Sequence, residues 1–306
     1  MRKFASSLLA IFALTVLVFG HEGELHPTAS FFSTWAFDPL VVFSLLLTAL
    51  LYSVGIVRLW RTAKVGSGIS GWEAASFGAG WISLVIALVS PLHPWGEVLF
   101  SAHMTQHEIL MLISAPLIVM GRPLIATMWA LPRTWRSDAG GILNREPLVS
   151  IWNTLTNAAV AFAIHAIALW IWHVPYLFQA TLESDLVHTL QHVSFFGSAL
   201  LFWWAIIYGK RGLSSYGAGV LYLFATSVHS GLLGAFLTFT HRVWYPIYSD
   251  STAAWGLTPL EDQQLGGLIM WVPAGIVYIV AALVMFASWL RESEKRVVMR
   301  EQRAGS

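Results

Sequence analysis

Two five-residue words place four histidines at a spacing suited to binding a metal ion. The words are His103-Met-Thr-Gln-His107 and His188-Thr-Leu-Gln-His192, and each lies near the start of a strongly apolar segment. A separation of four residues puts both imidazoles of a pair on one face of a helix, one turn apart. Ionisable side chains at membrane depth are costly and usually mark a function. Because the word occurs twice, including its glutamine, we interpret the four histidines as one shared site.

The chemistry open to this site is narrowed by the absence of cysteine from all 306 residues. Without thiolates, a transition metal must be bound by histidine, methionine or carboxylate, and imidazole suits copper, zinc and iron. Met111, four residues beyond His107, adds a thioether that favours Cu(I). His229 and Asp262 are the next candidate ligands. An acidic residue at a helix start is also favoured by the helix dipole, so Asp262 is equally consistent with capping.

A second, weaker metal site is predicted at the N-terminus. Residues 1–20 have the pattern of a secretory signal peptide, with Arg2 and Lys3 before a short apolar run. Cleavage after residue 20 would give His21 a free amino group beside its imidazole, with His26 close by. An uncleaved membrane anchor is the alternative for residues 1–20.

The elements that must position the histidines are membrane helices. The chain is 57% hydrophobic and only 11% charged, and lipid favours helices because they leave no backbone group unpaired. We therefore predict an all-α, polytopic membrane helix bundle with seven transmembrane helices after the signal peptide. The predicted spans are 38–60, 72–92, 97–120, 149–174, 186–208, 216–240 and 262–290.

The distribution of positive charge predicts the orientation of these helices. Fourteen lysines and arginines follow the first, third, fifth and seventh spans, whereas the opposite side of the mature chain carries Arg242 alone. The positive side is cytoplasmic. We expect an outer N-terminal tail at 21–37, a membrane domain at 38–290 and a cytoplasmic tail at 291–306. The lipid bilayer is then one partner, and neither the net charge of +1 nor the placement of the basic residues indicates nucleic acid.

All eleven histidines fall in the outer half of this arrangement or in outer loops. His93, His173 and His241 lie at helix ends beside proline or aromatic residues, and we assign them interfacial roles. His165 is a single histidine within a span, which predicts a hydrogen bond to a neighbouring helix.

Several motifs resemble the CtaG family of cytochrome c oxidase assembly factors, in its cysteine-free, seven-helix membrane form. The resemblance begins at His103 and runs through Ser114-Ala-Pro116 to Gly121-Arg122-Pro123. Further matching motifs are Trp170-Ile-Trp172-His173-Val-Pro175, His188-Thr-Leu-Gln-His192 and Asp262-Gln-Gln-Leu-Gly-Gly267-Leu-Ile-Met-Trp271-Val-Pro273. Together they cover residues from about 100 to 275.

The resemblance implies a multi-pass protein of the bacterial plasma membrane that is needed to mature haem–copper oxidase. It implies an assembly factor rather than an enzyme, with oxidase subunits or other copper-assembly proteins as partners. We expect copper to bind at the outward-facing histidines and to pass from them to an oxidase in the same bilayer. A haem-binding protein and an intramembrane zinc hydrolase remain the alternatives.

Overall fold

Helices make up all the regular structure that the computed structural model describes, which covers residues 35–209 and 213–304. The predicted signal peptide and nearly all of the outer tail lie outside these residues. The helices, in chain order, are α1 Pro39–Ala63, α2 Gly71–Leu88, α3 Leu92–Val98, α4 Phe100–Met120, α5 Pro123–Ala130, α6 Arg133–Leu143, α7 Glu146–Leu155, α8 Ala158–Trp172, α9 Pro175–Glu183, α10 Asp185–Tyr208, α11 Leu213–Phe239 and α12 Pro259–Ala304.

Five to seven of these helical units are long and apolar enough to cross a membrane. α1, α2, α10, α11 and α12 qualify alone, and the bent pairs α4–α5 and α7–α8 qualify as two further units. These seven units follow the seven predicted spans in order. Many large apolar side chains remain exposed, such as Ile276 at 58% and Leu283 at 61% on α12, as expected for a surface that faces lipid. The direction in which the chain crosses the membrane stays a prediction.

The predicted fourth span, 149–174, is wrong as a continuous helix. α7 ends at Leu155, and α8 begins at Ala158 with its axis turned by 63°. The cause is local, because the Asn157 side chain accepts the backbone N–H of Ala159 at 3.0 Å and so starts a new helix. Asparagine favours such caps over helix interiors.

The third span also begins later than the prediction at residue 97. Leu99 is extended, which separates the short α3 from α4. Further along α4, residues Ile109–Ser114 form a π-helical turn. Pro116 explains this turn, because it has no N–H to donate to the preceding carbonyls. The carbonyl of Met111 is instead paired with Nε1 of Trp203 on α10, at 2.9 Å.

One end of the bundle gathers the starts of α1, α4, α10 and α12 and the ends of α2, α8 and α11. Backbone and side-chain hydrogen bonds link these termini to one another. Ala36 N–H donates to Val89 O, and the hydroxyl groups of Tyr245 and Tyr248 donate to His173 O and Gly96 O. We call this the histidine end, because the first turns of α4 and α10 lie there with both His-x-x-Gln-His words.

α11 and α12 form the most extensive helix contact in the described part of the chain, and glycines allow their backbones to touch. A Cβ atom on Gly267 would lie 2.7 Å from Gly234 O, and one on Gly234 would lie 2.8 Å from Gly267 O. Small residues at such contacts are typical of membrane helix pairs. α12 then continues to Ala304, well beyond the predicted end of the span at 290.

Candidate metal centre

The two histidine pairs are held by the first turns of α4 and α10. Within each word the rings lie one turn apart, with centroids 4.3 Å apart for His103 and His107 and 4.3 Å apart for His188 and His192. Asp262, at the start of α12, fixes the start of α4. Its carboxylate accepts the backbone N–H of Phe100 at 2.6 Å and of Ser101 at 3.1 Å, and it also accepts the Ser101 hydroxyl.

The structure brings the two pairs together, as their shared sequence predicts. The ring centroids of His103 and His188 are 5.3 Å apart, and those of His107 and His192 are 5.2 Å apart. A fifth ring joins them from α3, because His93 stacks on His188 at 5.5 Å. We call this group the five-histidine cluster; its members are His93, His103, His107, His188 and His192.

Burial increases along the cluster from His93 to His107. His93, His188 and His192 are half-buried, whereas His103 is 0% exposed and His107 is 2% exposed. His93 lies outside the predicted spans. Its burial lowers the pKa of its imidazole by more than the nearby carboxylates of Asp38 and Asp185 raise it. A neutral imidazole keeps a lone pair for a metal.

Several ring nitrogens of the cluster have no hydrogen-bond partner within the described part of the chain. These are Nδ1 and Nε2 of His107, Nε2 of His188 and Nε2 of His192, all of them buried atoms. A buried polar atom without a partner costs about 1–3 kcal/mol and calls for an explanation such as a bound ion. Nε2 of His173 and Nε2 of His229 also lack a partner among the described residues, but neither ring belongs to the cluster. The grouping of four such atoms on three rings of one cluster is what points to a shared ligand.

The spacing of the rings suits a shared ion, but their planes do not yet converge. Two imidazoles bound at about 2.0 Å to one tetrahedral ion hold their ring centroids about 5 Å apart. The separations of 5.2 Å for His107–His192 and 5.3 Å for His103–His188 agree with this value. The planes of His103 and His188 differ by only 18°, so they are stacked rather than aimed at one point. Among the described residues no three His, Asp or Glu side chains are already set to hold a metal. Binding therefore requires the rings to turn.

Aromatic side chains cover the cluster at the histidine end. The His103 ring contacts Phe178 edge-on at 5.1 Å, and Phe178 packs on Tyr245 at 4.3 Å. Phe100 stacks on Tyr245 at 4.8 Å. Tyr248 anchors this cover through its bond to Gly96 O at 2.9 Å. A dry, low-dielectric cover strengthens every electrostatic contact beneath it.

Other predicted ligands lie apart from the cluster or outside the described residues. Both carboxylate oxygens of Asp262 accept hydrogen bonds from the start of α4. His229 accepts from Trp170 Nε1 at 3.4 Å and packs on Phe162, away from the five rings. Met111 is buried in the π-helical turn, and ligation by its sulfur stays a prediction. His21 and His26 lie outside the described residues.

Sequence reasoning missed His93, which was assigned an interfacial role. The available signal was its position before the first word, in Pro91-Leu-His93-Pro94, which parallels His173-Val-Pro175 before the second word. His173 does not touch the five rings in the same way, because its Nδ1 donates to Leu169 O at 2.6 Å. His165 makes the predicted contact with a neighbouring helix, through Ser198 Oγ at 3.0 Å.

Comparison with known proteins identifies relatives of this chain. An uncharacterized protein of Mycobacterium leprae is 28% identical over 291 residues, covering 89% of this chain and 42% of that protein. An uncharacterized protein of Mycobacterium bovis is 26% identical over 300 residues, covering 93% of this chain and 43% of its own length. The chain thus spans less than half the length of these curated relatives. No solved structure matches it.

A sequence model of one family covers most of the chain. The model, described as cytochrome c oxidase caa3 assembly factor, matches residues 50–292. This range contains helices α2 to α11, all five histidines of the cluster and Asp262. The resemblance seen in the motifs is thereby confirmed, and the chain belongs to the family of cytochrome c oxidase caa3 assembly factors.

Proposed function

We propose that this chain binds copper at the five-histidine cluster and hands it to a haem–copper oxidase during assembly. Copper is the cargo in this account, and the chain acts by binding and transfer rather than by turnover. The observation that carries the proposal is the set of buried ring nitrogens on His107, His188 and His192 that have no partner among the described residues. These three imidazoles would hold the ion.

The chemistry of the donors supports copper over the alternatives. Imidazoles without thiolate suit copper, and a monovalent cuprous ion is the least costly transition-metal charge to place beside lipid. Haem fits less well, because the five rings contact one another at 4.3 to 6.2 Å and leave no slot for a porphyrin. A zinc hydrolase would need a carboxylate at the metal as general base. Asp262 uses both carboxylate oxygens on α4. Glu108, the other candidate base, directly follows His107 and so projects from a different face of α4, where it interacts with Tyr278 of α12.

Membership of the family supports the second half of the proposal. An assembly factor must meet the oxidase in the bilayer, and the predicted orientation puts the histidine end on the outer face. Copper would then reach the cluster from outside the plasma membrane. Oxidase subunits, or other copper-assembly proteins that act beside them, are the proposed recipients.

Elemental analysis of the purified protein tests the proposal. Copper, zinc and iron are measured together in wild type and in a His107→Ala/His192→Ala variant. The matched control is His165→Ala/His229→Ala, which removes two histidines outside the cluster. We expect near-stoichiometric copper in wild type and control and its loss from the cluster variant. Iron or zinc in wild type, or copper retained by the cluster variant, would overturn the proposal.

A further inference from the structure

The glutamine of each repeated word contacts a histidine of the five-histidine cluster. Gln106 Nε2 donates to Nδ1 of His93 at 2.9 Å and to Ala87 O at 2.8 Å. The side-chain amide of Gln191 lies beside His103, with Oε1 3.2 Å from His103 Nε2. Both glutamines are 0% exposed. Each of these two histidines thus has a glutamine amide against one ring nitrogen, whereas Nε2 of His107, His188 and His192 has no partner among the described residues.

At His103 the amide covers the nitrogen that a metal would need. His103 Nδ1 lies 3.3 Å from Gly96 O, and a carbonyl can only accept, so a neutral ring keeps its proton on Nδ1. The lone pair then lies on Nε2 and faces Gln191. Nε2 of Gln191 has no partner within the described residues. Half a turn of the amide presents this donor to the lone pair, and the amide then competes directly with a metal ion.

At His93 the amide of Gln106 covers Nδ1, whereas at His103 the amide of Gln191 covers Nε2. Because Nδ1 accepts from Gln106, the ring proton lies on Nε2. Neither nitrogen of His93 offers a free lone pair until the amide moves away. Gln106 is itself held in place by its second bond, to Ala87 O.

We propose that Gln106 and Gln191 hold His93 and His103 in reserve and so set how tightly the cluster holds copper. This inference rests on the proposed function. The glutamines act by covering ligands and do not touch the ion. Copper bound by His107, His188 and His192 alone is three-coordinate and open to an incoming ligand of the recipient protein. Reserve ligands, once uncovered, would make the site four-coordinate and slow to release its ion.

Replacing the amides tests the inference. The variants are Gln191→Leu and Gln106→Leu, which keep the approximate side-chain volume, and the control is Gln179→Leu. Gln179 is a half-buried glutamine on α9, outside the five-histidine cluster, whose side chain donates to Pro175 O. Cu(I) is added anaerobically, affinity is measured against a coloured chelator, and X-ray absorption at the copper edge counts the nitrogen ligands.

The two possible roles of the amides give opposite results. If they cover reserve ligands, each cluster variant binds Cu(I) about two- to tenfold more tightly, the worth of one hydrogen bond, and the ligand count rises from three to four. If they instead orient bound ligands, affinity falls by about 10–100-fold and the inference is overturned. An unchanged affinity and ligand count would overturn it as well.

One further variant and a stability measurement distinguish three outcomes: misfolding of a variant, failure of the proposed function, and failure of the inference. Gln191→Asn keeps the amide but shortens it by one methylene, so it should uncover His103 as Gln191→Leu does, even if leucine disturbs the packing. Melting temperature in detergent reports the fold of each variant. Wild type that binds no copper would contradict the proposed function, whereas copper in wild type with no gain in either Gln191 variant would contradict the inference alone.

Discussion

Replacing Asp262 should damage the start of α4 rather than remove a metal ligand. In Asp262→Ala, three buried donors lose their acceptor: the N–H groups of Phe100 and Ser101 and the Ser101 hydroxyl. An N-cap is worth about 1–2 kcal/mol, and each further unpaired buried donor costs about 1–3 kcal/mol. These contributions add to about 3–8 kcal/mol, and because the freed donors can relax toward other acceptors we expect a loss near the lower end, about 3–5 kcal/mol. Asp262→Asn keeps one acceptor oxygen and should cost about 1–3 kcal/mol.

Thermal unfolding in detergent, with and without added copper, separates capping from ligation. At about 2 °C per kcal/mol for a chain of this size, Asp262→Ala should melt about 6–10 °C below wild type in metal-free protein. The melting temperature of Asp262→Asn should lie between those of wild type and Asp262→Ala. Glu261→Gln is the neighbouring control; this exposed residue caps its own helix through Thr258, and its shift should be much smaller. If Asp262→Ala leaves the melting temperature of metal-free protein unchanged and lowers only the stabilisation that copper adds, Asp262 is a metal ligand and not a cap.

Three further predictions concern the elements around the site. Trp203→Phe should leave the Met111 carbonyl in the π-helical turn unpaired, at a cost of about 1–3 kcal/mol. A second substitution, Pro116→Ala, should recover part of this loss because it restores a backbone N–H. A double-mutant cycle of melting temperatures measures the coupling between the two. Gly267→Ala should force α11 and α12 apart and cost about 1–3 kcal/mol. Gly275→Ala meets nothing within 4 Å and should leave the melting temperature unchanged or raise it slightly, because alanine is favoured over glycine inside a helix by up to about 1 kcal/mol. Burial raises the pKa of Tyr248 well above its usual value, so its contribution to stability is present below pH about 10 and lost as pH rises; wild type should therefore lose melting temperature between pH 9 and 11 more steeply than Tyr248→Phe.

The arrangement of the histidines within each word could be predicted, because its cause is local. Four-residue spacing places the histidines of each word on one face of its helix, and the distribution of Lys and Arg predicts that both helices run in the same direction. That the two helices are neighbours was an assumption, because no feature of either segment specifies its partner. Hydropathy likewise predicts the approximate positions of the spans, since length and apolar content dominate membrane insertion. The confirmed family resemblance depends on the same local words.

The features that sequence reasoning missed depend on contacts between distant residues or on single capping groups. Asp262 caps a helix that begins 162 residues earlier, and nothing within its own segment indicates that partner. The break before α8 depends on one side chain, Asn157, inside an otherwise apolar run. His93 joins the cluster only because the short α3 packs on the start of α4, which sets the His93 ring against His188 of α10. Its sequence context indicated an interface rather than a site.

The central claim is that copper is held by the unpartnered histidines of the cluster. Anomalous X-ray diffraction at the copper edge, on crystals of copper-loaded protein, tests this claim most directly because it locates the ion. We expect one main copper peak between the rings of His107, His188 and His192, and no such peak in crystals of the His107→Ala/His192→Ala variant. A copper peak elsewhere in the chain, with none at these three rings, would contradict it.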